Sequence, residues 1–497
     1  MRRTPAQSTP RVAEGPSLSA QRGNKIAIGG VFLLLVLVLQ LKPIDDVDIF
    51  WQVKLGQLTI ATGELIERDV FSYTHAGKPT PTIGWLAQVI YAGLYEMGGW
   101  RAIQLLHVTL FAAAFGIAGL TASHLSSQGR YPVPFILVVG IYLGVMAGLS
   151  NADVRPQSFA LLGFAAALYI ARLGPFSGRG LAGIGVIAIL WQNTHPSLSL
   201  GVLALGVLAL GEWLTRWRQP AHPAPLFLSL ATGILALAQL ATPMGWHIFD
   251  VSTANLHVAR DLLKVSEWLP PWDPSVRPAM AGFFLSGGIA LVLLIINRPN
   301  LCLGDWLLLL SMTGLSLYAS RFALFWGIAL IPLWTQWLES VRPPHRFAWR
   351  EAPWSPLALR IAVLAVLAAV YSLPAVLQGK ALPHDPLGEC LETLGMAVPA
   401  GRIYNYREWG GPLIFRGFPQ WQVTIDGRLY LYDDQDWQDY ADVVQGRVDL
   451  DKIMTKYSPD AFVLHPTYHM ALIGMLDASQ QHRRLFIDPL CAVYTSH

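Results

Sequence analysis

Apolar runs of roughly 17 to 22 residues recur along this chain, each long enough to cross a hydrocarbon core of about 30 Å as a helix. No other feature limits the fold so strongly, because a segment inside a bilayer must satisfy its own backbone hydrogen bonds. Composition agrees: 53% of the 497 residues are hydrophobic and 13% are charged, against about 25% charged in soluble globular chains. The sequence predicts an all-α polytopic membrane protein. The first run is not read as a cleavable signal, since about 25 polar and basic residues precede it and no small-x-small site follows.

In order, the expected spans are Lys25–Leu41, Ala102–His124, Tyr131–Leu149, Gln157–Ala171, Leu181–Gln192, Leu198–Leu214, Leu226–Ala241, Ala279–Ile296, Leu301–Tyr318, Phe322–Trp337 and Ala358–Leu377. Lys and Arg in short connections mark the cytoplasmic side. One alternating set carries Arg22 and Lys25, then Arg130, Arg172 and Arg179, Arg216 and Arg218, Arg298, and Arg342, Arg346 and Arg350. Placing that set inside puts residues 1–24, a disordered polar tail, in the cytoplasm and the C-terminal segment outside. The alternation holds only if Trp85–Gly98, short and interrupted by Gln88 and Glu96, lies at the interface. Residues 25–378 then form the transmembrane domain, with one long outer loop over 42–101.

Residues 379–497 shift toward Asp, Arg, Tyr and Gln and read as a small extracytoplasmic α/β domain. Helices are expected at Gly388–Leu394, Leu450–Tyr457 and Met470–Ser479. Strands are expected at Arg402–Tyr406, Pro412–Phe415, Gln422–Ile425, Ala461–Leu464, Leu485–Ile487 and Ala492–Thr495. Gly410-Gly411 reads as a turn, and Asp426-Gly427-Arg428 as a strand-ending turn with a local ion pair. Of the three cysteines, Cys302, Cys390 and Cys491, none has metal-ligand spacing. Cys390 and Cys491 could pair if the tail lies in an oxidising compartment.

The unusual polar residues collect on the outer connections. Asp45, Asp46 and Asp48 follow the first span directly, held near the membrane boundary by Phe50 and Trp51. They either solvate a helix end or form the acidic centre of a site. Carboxylates at the C-terminal end of the first span would oppose its dipole, and boundary carboxylates are functional candidates. One could act as a general base; two could hold a divalent cation, magnesium or manganese. Arg155 and Arg321 stand at outer span ends, where they either snorkel or pair with an acid such as Asp153, or else neutralise an anionic lipid group. His195 is a structural helix-end residue or a phosphate contact. Glu267 and Trp268 form an interface anchor or a lid and sugar platform.

Asp46-Val47-Asp48-Ile49-Phe50-Trp51-Gln52, then Gly56, Arg68-Asp69-Val70-Phe71-Ser72-Tyr73-Thr74, Gly77 and Trp85-Leu86-Ala87-Gln88 resemble the first-loop signature of bacterial membrane glycosyltransferases of the GT-C superfamily. Val154-Arg155-Pro156-Gln157, Trp191-Gln192-Asn193-Thr194-His195, Thr242-Pro243-Met244-Gly245-Trp246, Trp409-Gly410-Gly411-Pro412-Leu413 and Ile425-Asp426-Gly427-Arg428 extend the likeness over most of the chain. The chain departs from the pattern at Gln52, Glu67 and Gly84, where a histidine, a proline and an acid are usual. The resemblance implies a fold whose first outer loop holds interfacial helices, in a bacterial inner membrane. It also implies sugar transfer from a polyprenyl phosphate or pyrophosphate to a glycan, lipid or protein acceptor at the outer face. By position, the base or metal-ligand role falls on Asp46 or Asp48, with Asp69 as a second acid. Donor phosphate would fall to Arg155, His195 and Arg321. The competing readings are a lipid or polysaccharide transporter and a non-catalytic envelope-complex subunit. Mid-span charges and inverted repeats, which a transporter would want, are not evident, and no nucleic-acid partner is expected.

Overall fold

The computed structural model describes residues 18–40, 42, 44, 46–125, 133–216, 223–297, 301–340 and 387–496. The expected span 358–377 and residue Asp45 lie outside them. The other ten expected spans fall on helices: α1 (Leu18–Leu39), α3 (Trp85–Leu125), α4 (Val133–Gly148), α5 (Gln157–Leu173), α6 (Gly178–Thr194), α7 (Leu198–Arg216), α8 (Pro223–Ala238), α10 (Ala281–Asn297), α11 (Leu303–Tyr318) and α12 (Ala323–Ser340). Two of these, α3 and α7, are long and apolar enough to cross a bilayer by length and composition alone. All ten share one hydrophobic core, with Phe111, Phe164, Trp191, Phe325 and Trp334 among its largest members. The same helices also turn apolar side chains outward, Leu226 and Leu237 on α8 and Leu291, Ile295 and Ile296 on α10. Apolar surface on both faces suits a lipid solvent and not water.

Two further helices fill the long connections: α2 (Asp48–Thr62) in the 42–101 loop and α9 (His247–His257) in the 242–278 loop. Trp85–Gly98 is helical and forms the first part of α3. The helix leaves α geometry at Gly98 and Gly99 before resuming as the apolar span.

The tail is built on a five-stranded sheet in the order β2-β1-β3-β5-β4: β1 (Gly401–Asn405), β2 (Trp421–Val423), β3 (Ala461–Leu464), β4 (His482–Ile487) and β5 (Ala492–Ser496). The first three are parallel and the last two run antiparallel to their neighbours. Helices α13 (Gly388–Ala397), α14 (Gly410–Gly417), α15 (Asp434–Val444), α16 (Leu450–Tyr457) and α17 (Met470–Ala478) pack around it. A disulfide joins Cys390 to Cys491 inside its core.

The structure departs from the sequence expectation at α1, which begins at Leu18 inside the stretch 1–24 expected to be disordered, and in the tail. Pro412–Phe415, expected as a strand, lies in helix α14, and Gly410-Gly411 opens that helix instead of forming a turn. Four apolar residues cannot distinguish a buried strand from a buried helix face. Pro412 sits in the first turn, where its missing N–H breaks no intrahelical bond. A Cβ on Gly411 would stand 2.2 Å from the Val47 carbonyl oxygen, so glycine is what lets α14 lie against the start of α2. Helix α15 is not among the expected elements; Asp433 and Asp436 open it with reciprocal capping bonds, a pattern the sequence carries.

The tail does not stand apart from the first loop. Trp51, Leu55 and Phe71 enter its core beside Leu413, Trp421 and Val423. Residues 71–73 extend the sheet: the Val423 amide donates to the Phe71 carbonyl at 3.1 Å, and the Tyr73 amide to the Val423 carbonyl at 3.2 Å. The outer edge of β2 is thereby covered.

Candidate functional site

Asp48 is the first residue of α2, and the Asp46 carboxylate accepts its backbone N–H at 2.8 Å. The acids therefore stand at a helix N-terminus, where the dipole favours them. The dipole conflict expected from the first span is not present, because a second helix begins where the sequence suggested only a span end. Asp48 and Gln52 lie one turn apart on α2 and face the same way; Trp51 Nε1 donates to the Asp48 carboxylate at 3.1 Å.

Arg155, in the bend before α5, forms ion pairs with both Asp46 and Glu267. Its expected partner Asp153 pairs instead with Lys42. Glu267 sits on a 3-10 turn, Ser266–Trp268, and Arg321 on another, Ser320–Phe322. The Ser320 amide donates to the Leu269 carbonyl at 3.0 Å, tying the two turns together. Glu267 reaches Arg321 at 3.3 Å through its second carboxylate oxygen. The Arg321 guanidinium stacks 4.1 Å from the Trp268 ring centre. One carboxylate thus holds two arginines from three separate connections.

The tail closes the other side. Arg428 lies almost wholly buried, bound through two nitrogens to Asp426 at 2.9 and 2.6 Å and through its third to Asp69 at 2.6 Å. The expected local ion pair is there, but it also binds the tail to the first loop. A Cβ on Gly427 would stand 1.7 Å from an Asp48 carboxylate oxygen. Only glycine lets this turn seat against Asp48.

These elements enclose a cavity of about 1010 Å³. Asp46, Asp48, Arg155, His195, Glu267, Trp268 and Arg321 all line it, together with Gln52, Arg407, Glu408 and Tyr430. Asp69 is not among its lining residues. The tail residues were not anticipated: a charged pair after a strand, Arg407-Glu408, gives no signal of which surface it will face. Burial pushes the Asp46 carboxyl up to about 7, with Arg155 opposing and Asp48 adding to the rise. Burial also raises Asp48, against the pull of Arg155. Burial would raise Glu267 too, but Arg155 and Arg321 outweigh it and hold this acid at about 2. His195, following α6, is lowered to about 3 by burial and by Arg321, so its imidazole is neutral. Its Nδ1 lies 2.8 Å from Ser197 Oγ.

The donor set suits a hard divalent cation. Asp46 and Asp48 supply carboxylates, and the buried Gln52 Oε1 on the same cavity has no hydrogen-bond partner; oxygen ligands of this kind favour magnesium or manganese. A second group, His75, Asp433 and Asp436, brings ligand atoms within 4.8 Å of one another. It lies away from the cavity, and its aspartates are already engaged by helix capping and by Lys456.

No protein-family model and no curated protein sequence matches the chain. Solved structures do. The archaeal oligosaccharyltransferase AglB from Archaeoglobus fulgidus, in complex with an inhibitory peptide and a dolichol-phosphate, aligns over 90% of this chain and 70% of its own, at 11% identity and a TM-score of 0.58. ArnT from Cupriavidus metallidurans, bound to undecaprenyl phosphate, aligns over 94% and 97% at 14% identity and a TM-score of 0.49. The chain shares the fold of the archaeal oligosaccharyltransferase, in keeping with the GT-C resemblance of its first loop.

Proposed function

We propose that this protein is an integral-membrane glycosyltransferase that takes a sugar from a polyprenyl phosphate or pyrophosphate and passes it to an envelope acceptor at the outer face. The supporting observation is the meeting of Asp46, Asp48, Arg155, His195, Glu267 and Arg321 on one cavity. In this reading Arg155 and Arg321 receive the donor phosphate, and neutral His195 donates or accepts a hydrogen bond beside them. The acceptor oxygen attacks the anomeric carbon as the bond from that carbon to the phosphate oxygen breaks. The phosphate leaves with the electron pair, neutralised by the two guanidiniums, and the acceptor proton passes to an ionised Asp46 or Asp48. Asp46, Asp48 and Gln52 would hold a divalent cation, which when bound supplies charge stabilisation at the phosphate. Glu267 and Trp268 form the wall that a lid would use.

A phosphate arriving at Arg155 meets Asp46 and Glu267 already on that guanidinium, so the donor competes with two carboxylates for its charge. The disulfide in the tail suits an oxidising compartment, which agrees with an extracytoplasmic tail, a cytoplasmic N-terminus and a bacterial inner membrane. The test is binding of a radiolabelled polyprenyl phosphate to the purified protein in nanodiscs. Arg155→Ala and Arg321→Ala should each weaken it by at least tenfold, the scale of one charge-assisted contact. Unchanged binding in both variants would remove the donor assignment.

A further inference from the structure

The tail carries an aromatic stack that the reaction above does not use. Chain order and sheet order place it. From β1 the chain moves outward to β2, then crosses back to β3 on the opposite side. The gap beyond the C-terminal ends of β1 and β3 is therefore a topological switch point, where open α/β sheets bind ligands. Tyr406 and Trp409 follow β1; His465 and Tyr468 follow β3. Tyr406 and Tyr468 stack with ring centres 5.4 Å apart and planes 12° from parallel. Trp409 and His465 stack at 5.9 Å and 20°, and His465 meets Tyr468 at 4.7 Å. Tyr406 and Trp409 lie buried in the tail's core, while Tyr468 remains 47% exposed, so the stack presents the Tyr468 ring outward as an open shelf. Glu408, between Tyr406 and Trp409 in the chain, lines the large cavity with its side chain 42% exposed.

We propose that this shelf is a saccharide subsite that holds the acceptor glycan as it enters the cavity, an inference that rests on the transferase reading given above. Polarised C–H bonds on one face of a pyranose lie well against the negative face of an aromatic ring. A carboxylate at the shelf's edge accepts ring hydroxyls. Aromatic rings with a polar handle lose little side-chain freedom on binding. A lipid chain would want a continuous apolar wall, and Glu408 and His465 interrupt one here. A phosphate would want unpaired cations, and Arg407, the nearest, is held by Glu408 at 3.0 Å.

The experiment titrates the full-length protein in detergent with a panel of chito-, malto-, manno- and galacturono-oligosaccharides, read by tryptophan fluorescence and calorimetry. At least one member should bind saturably. Tyr468→Ala should weaken that binding by roughly tenfold, and Tyr468→Phe should keep it. No saturable binding across the panel, or equal binding by Tyr468→Ala, overturns the subsite. Asp46→Asn and Asp48→Asn separate the two readings. If both retain full glycan transfer, the catalytic account fails while the shelf's saccharide binding still stands. If either loses transfer but the alanine variant of Tyr468 binds saccharide normally, the shelf fails alone.

Discussion

Arg428 Nη1 lies 2.6 Å from Asp69 Oδ1, with both side chains withdrawn from solvent. Asp69 belongs to the first loop and Arg428 to the tail, 359 positions further on. Their contact joins the two parts of the cavity wall, beside the packing of Trp51, Leu55 and Phe71 in the tail's core. The Asp69 carboxylate also accepts the Phe71 and Ser72 amides at 3.2 and 3.1 Å, which shapes the loop that extends the sheet. Asp69 is thus fully engaged as a fastener. Removing one partner of a buried ion pair costs about 3–5 kcal/mol, because the other charge is left unpaired. Arg428→Ala and Asp69→Asn should each lower the thermal unfolding temperature in detergent, with activity falling in step. Activity lost by Asp69→Asn at unchanged thermal stability would show a direct chemical role for Asp69 instead.

Gly427→Ala should displace Asp48 without removing any charged group. The added carbon would overlap the Asp48 carboxylate oxygen, 1.7 Å away. Small misplacements of a reacting group can cost on the order of 10²-fold in rate. The expected result is a fall in kcat with little change in KM for the lipid donor. A variant with wild-type kcat would mean that Asp48 is not held by this turn.

Asp46 gives the pH dependence its sign. Its folded-state carboxyl is raised from 3.8 to about 7. The stability tied to its protonated form is present below about pH 4 and is lost as pH rises through about 7. An ionised Asp46 serves as base or ligand, so transfer should rise with pH through about 7 while thermal stability declines. Asp46→Asn should flatten that decline in a melting series across the same range. An identical pH trend in the variant would assign the titration elsewhere.

Glu267 occupies both arginines that the donor phosphate would use. Glu267→Gln keeps the shape and removes the competing charge, so short-chain polyprenyl phosphate should bind roughly tenfold more tightly. Weaker binding would mean that Glu267 orients the guanidiniums for the phosphate instead of competing with it.

Much of the helical part was legible because apolar runs of this length favour helices, and ten expected spans lie on helices. The acids, arginines and histidine of the cavity were legible because each broke the pattern of its surroundings. What could not be read was partnership. Arg155 stands next but one to Asp153, yet it pairs with Asp46 and Glu267, since which connections meet is fixed by helix packing and not by spacing. Gly427 looked like a turn glycine, and its contact with Asp48 depends on where the tail docks. Helix α14 was misread because a four-residue apolar run carries no period, and the walls supplied by Arg407, Glu408 and Tyr430 gave no local sign at all.

In the proposed reaction, the acids before and at the start of α2 carry out glycosyl transfer. The most direct measurement is transfer by purified protein in nanodiscs, with a polyprenyl-phosphate sugar and envelope acceptor, for Asp46→Asn and Asp48→Asn made separately. At least one should lose on the order of 10²–10⁴-fold in rate while still binding the lipid phosphate and unfolding near the wild-type temperature. Full transfer by both variants would contradict the account.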